Sequence, residues 1–140
     1  MGGKVTFPDG LQTIGNEAFD RNGLKELEIP ESVSYIGKSA FSWCRKLEEV
    51  KLPENPTKLS DKIFYECNAL EKVVLPNNLE SIGDEVFYEC GLNKLEIPES
   101  VSSIGSDAFS QCRNLEEVNI PKGITKVNKG TFFGCSSLRK

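Results

Sequence analysis

The stretch LEIPESVSYIGKSAFSWCRKLEEV, residues 27–50, decides the fold because it returns as LEIPESVSSIGSDAFSQCRNLEEV, residues 95–118. The two copies are identical at 19 of 24 positions and lie 68 residues apart. A shorter period runs through both copies and through the rest of the chain. Proline recurs every 22 or 23 residues, at Pro8, Pro30, Pro53, Pro76, Pro98 and Pro121. Self-similarity at a fixed period of this length indicates a stack of repeated structural units.

Phenylalanine and cysteine keep the same period as proline. Phenylalanine occupies one place in all six units, at Phe19, Phe41, Phe64, Phe87, Phe109 and Phe132. Cysteine follows it in five units, at Cys44, Cys67, Cys90, Cys112 and Cys135, and Asn22 takes that place in the first. The consensus is L-x-x-V-x-I-P-x-x-V-x-x-I-G-x-x-A-F-x-x-C-x-x. We therefore predict one domain over residues 1–140, with units at approximately 2–26, 27–49, 50–72, 73–94, 95–117 and 118–140.

Each unit contains a short alternating segment ahead of its proline. In Val50-Lys51-Leu52 the outer residues are apolar and the central residue is charged, which predicts a strand with one face in water. Pro53 ends the strand because proline has no N–H to donate to a neighbouring strand. The corresponding segments are 27–29, 73–75, 95–97 and 118–120. Stacked in phase, they predict a parallel sheet.

The second half of each unit has a different pattern. Apolar residues recur there at helical intervals, in the second unit at Ala40, Phe41, Cys44 and Leu47. This spacing predicts a short helix of about a turn and a half. A glycine precedes the helix in four units, and we expect it to adopt a positive φ, at Gly15, Gly37, Gly83 and Gly105. Ser60 replaces this glycine in the third unit, where we expect a local distortion.

The consensus resembles the BspA-like (Treponema pallidum type) leucine-rich repeat family, whose hallmark is the phrase IPxxVxxIGxxAFxxC. The similarity covers essentially the whole chain. It implies an α/β fold: a right-handed solenoid with a parallel β-sheet on its concave side and short helices and turns on its convex side. It also implies a bacterial surface or protozoan protein that acts in adhesion and protein contact. An extracellular or cell-surface location follows from the resemblance alone, since MGGKVTFPDG contains no apolar segment typical of a secretory signal.

Composition argues against several classes of function. The net charge is only -4, with 27% charged residues, so neither nucleic acid nor an anionic membrane surface is an expected partner. The apolar runs are far too short for a membrane span. Histidine is absent, which removes the commonest general base and the commonest metal ligand. We therefore expect no enzyme activity, no catalytic residue, no cofactor and no membrane insertion.

The five cysteines invite three interpretations. One cysteine per unit, with no C-x-x-C pair, favours a ladder of reduced, buried thiols that pack as small apolar residues. Disulfides are an alternative, although an odd number cannot pair fully within one chain. Metal binding is the other alternative, although zinc needs ligands that converge on one point rather than follow an axis. The sequence therefore predicts no metal site.

Two surfaces are candidates for binding a partner. On the convex side, Tyr65 and Tyr88 follow the phenylalanine of adjacent units, and Trp43 lies one place further on in the unit before. The same place holds Asp20, Ser42 and Ser110 in other units, so the repeat does not require a ring there. Aromatic side chains of this kind dominate the energetics of protein interfaces. The alternative interpretation is that the rings only cover the convex edge.

The second candidate surface is the charged face of the predicted concave sheet, represented by Lys51, Val74 and Glu96. Its charges largely alternate from unit to unit, as between Glu49 and Lys72, so they neutralise one another. Simple solvation of these charges is the alternative.

The sequence as a whole favours a non-catalytic protein-interaction or adhesion module. We expect it to be a fragment of a longer cell-surface repeat protein, with a host extracellular-matrix or surface protein as the ligand. The competing hypothesis is a structural, self-assembling or designed repeat scaffold whose open ends stack end to end.

Overall fold

The computed structural model of the chain describes residues 5–139, which form ten short strands and no helix. In chain order the strands are β1 (Thr13–Ile14), β2 (Glu26–Glu28), β3 (Tyr35–Ile36), β4 (Glu49–Lys51), β5 (Lys58–Leu59), β6 (Lys72–Val74), β7 (Ser81–Ile82), β8 (Lys94–Leu95), β9 (Ser103–Ile104) and β10 (Glu117–Val118). All strand pairs are parallel. Each turn of the chain adds one strand to each of two rows, which makes the molecule a parallel-strand solenoid.

The even-numbered strands form the first row and confirm the predicted sheet. They pair in the order β2-β4-β6 and β8-β10. Leu27, Val50 and Val73 lie in register and are buried, while the residues on either side of each point into solvent. The alternation seen in the sequence therefore fixes both the inward face and the register.

The odd-numbered strands form a second row that the sequence interpretation missed. They pair as β1-β3 and β5-β7-β9, so the row is interrupted between the second and third units. At the interruption the Ser60 hydroxyl donates to the Ile36 carbonyl at 2.9 Å. In units that have glycine at this place, Gly37 and Gly83 instead donate their backbone N–H to the preceding unit. The expected local distortion at the third unit is thus confirmed.

The predicted helix at Ala40–Leu47 and its equivalents is wrong. The residues form consecutive tight turns, in which the Ala40 N–H donates to the Gly37 carbonyl at 3.3 Å. Alternate N–H groups are directed to the next unit instead of back along the chain. The N–H groups of Phe41 and Trp43 donate to Ile63 and Tyr65 at 3.0 and 2.7 Å. Because these groups are used between units, the i→i−4 bonds of a helix cannot form.

The predicted positive φ at the four glycines is also wrong. The left-handed positions of this segment lie elsewhere. In the sixth unit they are held by Gly130 and Gly134, and in the first five units they belong to other residue types, namely Glu17, Arg21, Ser39, Trp43, Lys62, Glu66, Glu85, Glu89, Asp107 and Gln111. Glycine is needed instead for close approach between units. A Cβ at Gly83 would lie 2.5 Å from Asp61 Oδ1 and 2.8 Å from the Leu59 carbonyl oxygen. Real side chains do not tolerate such contacts, so the neighbouring unit would have to move.

Replacing Gly83 with alanine is therefore expected to cost about 1–3 kcal/mol of unfolding free energy through overpacking against backbone. Gly15→Ala is the matched control, because no heavy atom lies within 4 Å of its added Cβ. That variant should be neutral or more stable by about 0.4–1 kcal/mol, since alanine reduces the entropy of the unfolded chain. Urea unfolding of both variants measures the difference. Equal stability of the two variants would contradict the close-approach explanation.

A ladder of phenylalanine rings fills the interior along the axis. The rings of Phe41, Phe64 and Phe87 are fully buried and stack on one another with centroid distances of 5.9 and 5.8 Å. Phe109 continues the stack at 5.4 Å. One unit cannot bury its ring alone, so the rings hold neighbouring units together.

The cysteines form a second ladder and are all free. Four of them are buried, as the first interpretation predicted, whereas Cys135 is only half-buried. Each thiol donates to the carbonyl of the phenylalanine one unit earlier, at 3.1 Å for Cys67 and 3.0 Å for Cys112. Burial raises the pKa of the Cys112 thiol to about 12 and that of Cys90 well above its usual value. A hydrogen bond with Cys67 lowers the pKa of Cys44, which is nevertheless fully buried. These thiols serve packing and backbone hydrogen bonding.

Candidate protein-interaction surface

The structure brings Trp43, Tyr65 and Tyr88 together in one line, here called the aromatic row. The period of one unit per turn places them on neighbouring units just outside the buried phenylalanines. The Trp43 and Tyr65 rings meet edge to face at 5.9 Å, and the Tyr65 and Tyr88 rings stack at 4.8 Å with an interplanar angle of 8°. All three side chains are half-buried. The row is a continuous, partly exposed aromatic surface across three units.

Cationic side chains lie over two of the rings. The guanidinium carbons of Arg21 and Arg45 lie 5.1 and 5.0 Å from the Trp43 ring centroid, and the Lys62 ammonium lies 5.3 Å from that of Tyr65. These distances are within the range of cation–π attraction. The sequence interpretation did not include these residues. The signal that could have found them is a basic residue close in sequence to the ring position. Arg21, Arg45 and Lys62 occupy different places in their units, so the repeat pattern does not reveal this signal.

Carboxylates surround the other end of the aromatic row. Glu66 accepts from Arg45 at 3.3 Å, and Glu85 lies 3.8 Å from Lys62. Burial, followed by repulsion from Glu89, raises the pKa of the Glu66 carboxyl. Burial is also the largest cause that raises the pKa of the Tyr88 hydroxyl, and the Glu89 charge is the next. The local charge thus changes from basic near Trp43 to acidic near Tyr88.

The second candidate surface is the charged face of the first row of strands, and it is divided rather than continuous. Lys51 and Val74 lie side by side in register on the first row of strands, with Val74 51% exposed. Val74 and Glu96 line a shallow groove of 1140 Å³, whereas Lys51 lines another of 770 Å³ beside Glu28. Charges across this face partly neutralise one another, as Lys94 and Glu117 do at 4.0 Å. Neither groove contains an aromatic anchor comparable to the aromatic row, although Phe7 lines the edge of the smaller one.

Residues 5–139 contain no candidate metal centre and no candidate membrane span. Within this range no three or more histidine, cysteine or acidic side chains converge as a metal site would require. No helix long and apolar enough to cross a membrane occurs in the same range.

A family model described as the BspA type leucine rich repeat region matches residues 3–79 and 57–140, with six copies. No curated protein sequence matches the chain. Two solved structures of leucine-rich repeat proteins superpose on it with a TM-score of 0.89. The protein from Bacteroides ovatus is 37% identical over 96% of this chain, and the one from T. pallidum is 36% identical over 94%. The chain spans 36% and 63% of their respective lengths.

A third structure shares the fold at lower similarity. It is a leucine rich cell surface protein from Faecalibacterium prausnitzii, with a TM-score of 0.61 and 22% identity over 94% of this chain and 51% of its own. The family model covers nearly all of the sequence, and the two more similar structures reproduce its solenoid. The chain belongs to the family of BspA-type leucine-rich repeat proteins.

Proposed function

We propose that the chain is a non-catalytic protein-interaction module that acts in adhesion, as part of a longer cell-surface protein. Leucine-rich repeat proteins of this family are typically interaction or surface proteins, which supports the class of function. The observation that carries the proposal is the aromatic row of Trp43, Tyr65 and Tyr88. Rings of this kind offer a large apolar area at low entropic cost, which is why they dominate protein interfaces. The expected partner is an extracellular-matrix or cell-surface protein.

Packing alone does not account for the aromatic row. The place of Tyr65 and Tyr88 holds a buried serine in the second and fifth units, at Ser42 and Ser110. The residue after each serine still donates its backbone N–H to the next unit, from Trp43 to Tyr65 and from Gln111 to Phe133. The rings also lie outside the phenylalanine ladder that joins the units. The first row of strands is the weaker candidate, because its charged side chains are exposed and partly neutralise one another.

The double substitution Tyr65→Ser and Tyr88→Ser tests this assignment. It is expected to weaken binding to the chain's partner by more than about tenfold, or about 1.4 kcal/mol. The melting temperature should change little, because serine occupies the same place in other units. Binding is measured by surface plasmon resonance against immobilised fibronectin, laminin and collagen as a panel of matrix proteins.

The matched control alters the first row of strands through Lys51→Ser, Val74→Ser and Glu96→Gln. If the sheet is the binding face, this triple variant loses binding and the tyrosine variant retains it. If the tyrosine variant melts early, the rings belong to the core and the aromatic row is not a site. Failure of the native chain to bind any member of the panel would contradict an adhesive role toward the matrix.

A second candidate function is end-to-end association of copies. Three of the exposed large apolar side chains lie in the sixth unit, namely Ile120, Val127 and Phe133. Light scattering over a range of concentrations separates this candidate from the first, because stacking copies gain mass with concentration whereas an adhesive monomer does not.

A further inference from the structure

Asn22 occupies the place in the first unit that the other five units fill with cysteine. The thiols of Cys67, Cys90 and Cys112 are buried there and donate to a phenylalanine carbonyl of the preceding unit. Asn22 is exposed instead, and its carboxamide takes part in none of the hydrogen bonds of residues 5–139. Within the described part of the chain, its side chain is therefore held neither by packing nor by a hydrogen bond.

The residue that follows is Gly23, and its backbone nitrogen is open to approach. Gly23 is exposed, and a Cβ built on it would meet no heavy atom within 4 Å apart from those of its chain neighbours. Its N–H donates in none of the backbone hydrogen bonds among residues 5–139. Because glycine has no Cβ, nothing shields this nitrogen from the side chain directly before it. The Asn22 carboxamide and the Gly23 nitrogen can therefore meet.

The other asparagines of the chain lack this combination. Gly23 is the only glycine that follows an asparagine. Four asparagines also hold their carboxamides in hydrogen bonds to the backbone of a neighbouring unit, namely Asn16, Asn68, Asn119 and Asn128. Asn55 precedes Pro56, which has no N–H. Asn22 is thus distinguished both by its sequence context and by its exposure.

An asparagine carboxamide beside an unshielded peptide nitrogen can react without an enzyme. Hydroxide removes the proton of the Gly23 N–H, and the nitrogen then attacks the side-chain carbon Cγ of Asn22. A bond forms between this nitrogen and Cγ, and the bond from Cγ to Nδ2 breaks. Nδ2 leaves as ammonia after it takes one proton from water, which restores the hydroxide. Because both groups belong to one chain, the attack has the advantage of an intramolecular reaction and yields a cyclic imide.

Water reopens the cyclic imide at either of its two carbonyl carbons. Addition at Cγ leaves aspartate at position 22. Addition at the main-chain carbonyl carbon leaves isoaspartate, in which the chain continues to Gly23 through Cγ. Both products carry one more negative charge than asparagine at neutral pH. No oxidant or reductant is consumed in either step.

We propose that Asn22 is a site of spontaneous deamidation, which converts it into aspartate and isoaspartate over time. This modification goes beyond the proposed function and depends on no partner. It places a negative charge next to Arg21, whose guanidinium carbon lies 5.1 Å from the Trp43 ring centroid, and so lowers the net positive charge at the basic end of the aromatic row. Isoaspartate adds one carbon to the main chain within an exposed turn, so the solenoid is expected to stay folded.

The test is incubation of the whole folded chain in mildly alkaline and mildly acidic buffer, followed by cleavage after glutamate and mass spectrometry. The peptide of residues 18–26 contains Asn22 and no other asparagine. It is expected to gain about one mass unit and to elute as two products, of which an isoaspartate-specific methyltransferase labels one. The gain should be faster in alkaline buffer, because hydroxide starts the reaction. Peptides that contain the other asparagines should react at least about tenfold more slowly.

Variants locate the reaction. Gly23→Ala shields the nitrogen with a Cβ for which the structure has room, and should slow the mass gain at least about tenfold. Gly15→Ala is the matched control, because its Cβ also meets no heavy atom within 4 Å, and it should leave the rate unchanged. Asn22→Cys gives the first unit the pair that the fourth unit has at Cys90 and Gly91, and should abolish the gain.

Incubation in urea compares the folded with the unfolded chain. Because Asn22 is not held in the folded chain, its rate should differ by less than about threefold between the two states. A folded chain that reacts more than about tenfold more slowly than the unfolded one would show that the structure protects Asn22, and would overturn the proposal. It is also overturned if the folded chain gains no mass while a synthetic peptide of residues 18–26 reacts, or if folded Gly23→Ala reacts as fast as the native chain.

Discussion

Phe64→Ala is expected to lower the free energy of unfolding by about 3–5 kcal/mol, because removal of a large buried ring leaves a cavity. Phe64 is fully buried and stacks on Phe41 and Phe87 at 5.9 and 5.8 Å. Its loss weakens two interfaces between units at once, and in a solenoid stability depends on such nearest-neighbour interfaces. Urea unfolding followed by Trp43 fluorescence measures the change as a shift of the midpoint.

Phe133→Ala is the matched control for residue type, since this ring is 65% exposed. It is expected to change the unfolding free energy by less than about 0.5 kcal/mol, as surface substitutions usually do. A loss below about 1 kcal/mol for Phe64→Ala would show that the phenylalanine ladder does not hold the units together. Similar losses for both variants would show that fluorescence reports on something other than burial.

The sequence alone predicts the parts of this fold that depend on period. Leu27 and Val50 lie one unit apart in the sequence, and the structure pairs them directly. Any solenoid with one unit per turn must bring such residues together, so the register, the first row of strands and both internal ladders could be predicted.

The sequence could not predict the path of the chain between the rows. Ala40, Phe41 and Cys44 have the spacing of an amphipathic helix, but consecutive turns place the same residues inward as well. The choice between the two depends on hydrogen bonds to the next unit, such as Phe41 N–H to the Ile63 carbonyl. Local periodicity does not record these non-local bonds. The glycine prediction failed for the same reason, since the constraint on Gly83 comes from a neighbouring unit.

The candidate surface was likewise predictable from the sequence only in part. The aromatic row was predictable because Tyr65 and Tyr88 are equivalent residues on consecutive units and must be neighbours, and Trp43 lies only one place further on in the unit before. The cations over its rings were not, because Arg21 and Lys62 occupy different places in their units and reach the rings through long side chains. The contrast between the basic and acidic ends of the row therefore appears only when side-chain positions are known.

Deletion of residues 73–94 is expected to leave a folded, less stable solenoid. The deletion joins Lys72 to Leu95, and Lys72 and Lys94 occupy the same place in their units, since they pair with Glu49 and Glu117 respectively. Every inward side chain after the junction therefore keeps its row. Because each unit contacts only its neighbours, one lost unit removes one interface and leaves the others intact. Circular dichroism should show a cooperative transition at a lower urea concentration.

This deletion tests whether the later residues keep their places in the repeat, and not which segment is missing. Removal of residues 84–105 also takes out one unit but cuts elsewhere, joining Gly83 to Ser106, and it should be tolerated equally well. Removal of residues 73–83 takes out about half a unit and is expected to abolish cooperative folding. The shift displaces every later phenylalanine and proline from its row and turns inward residues of the following strands to solvent. If the half-unit deletion folds as cooperatively as the whole-unit deletions, the units do not hold one another in register, and the solenoid account of this chain is wrong.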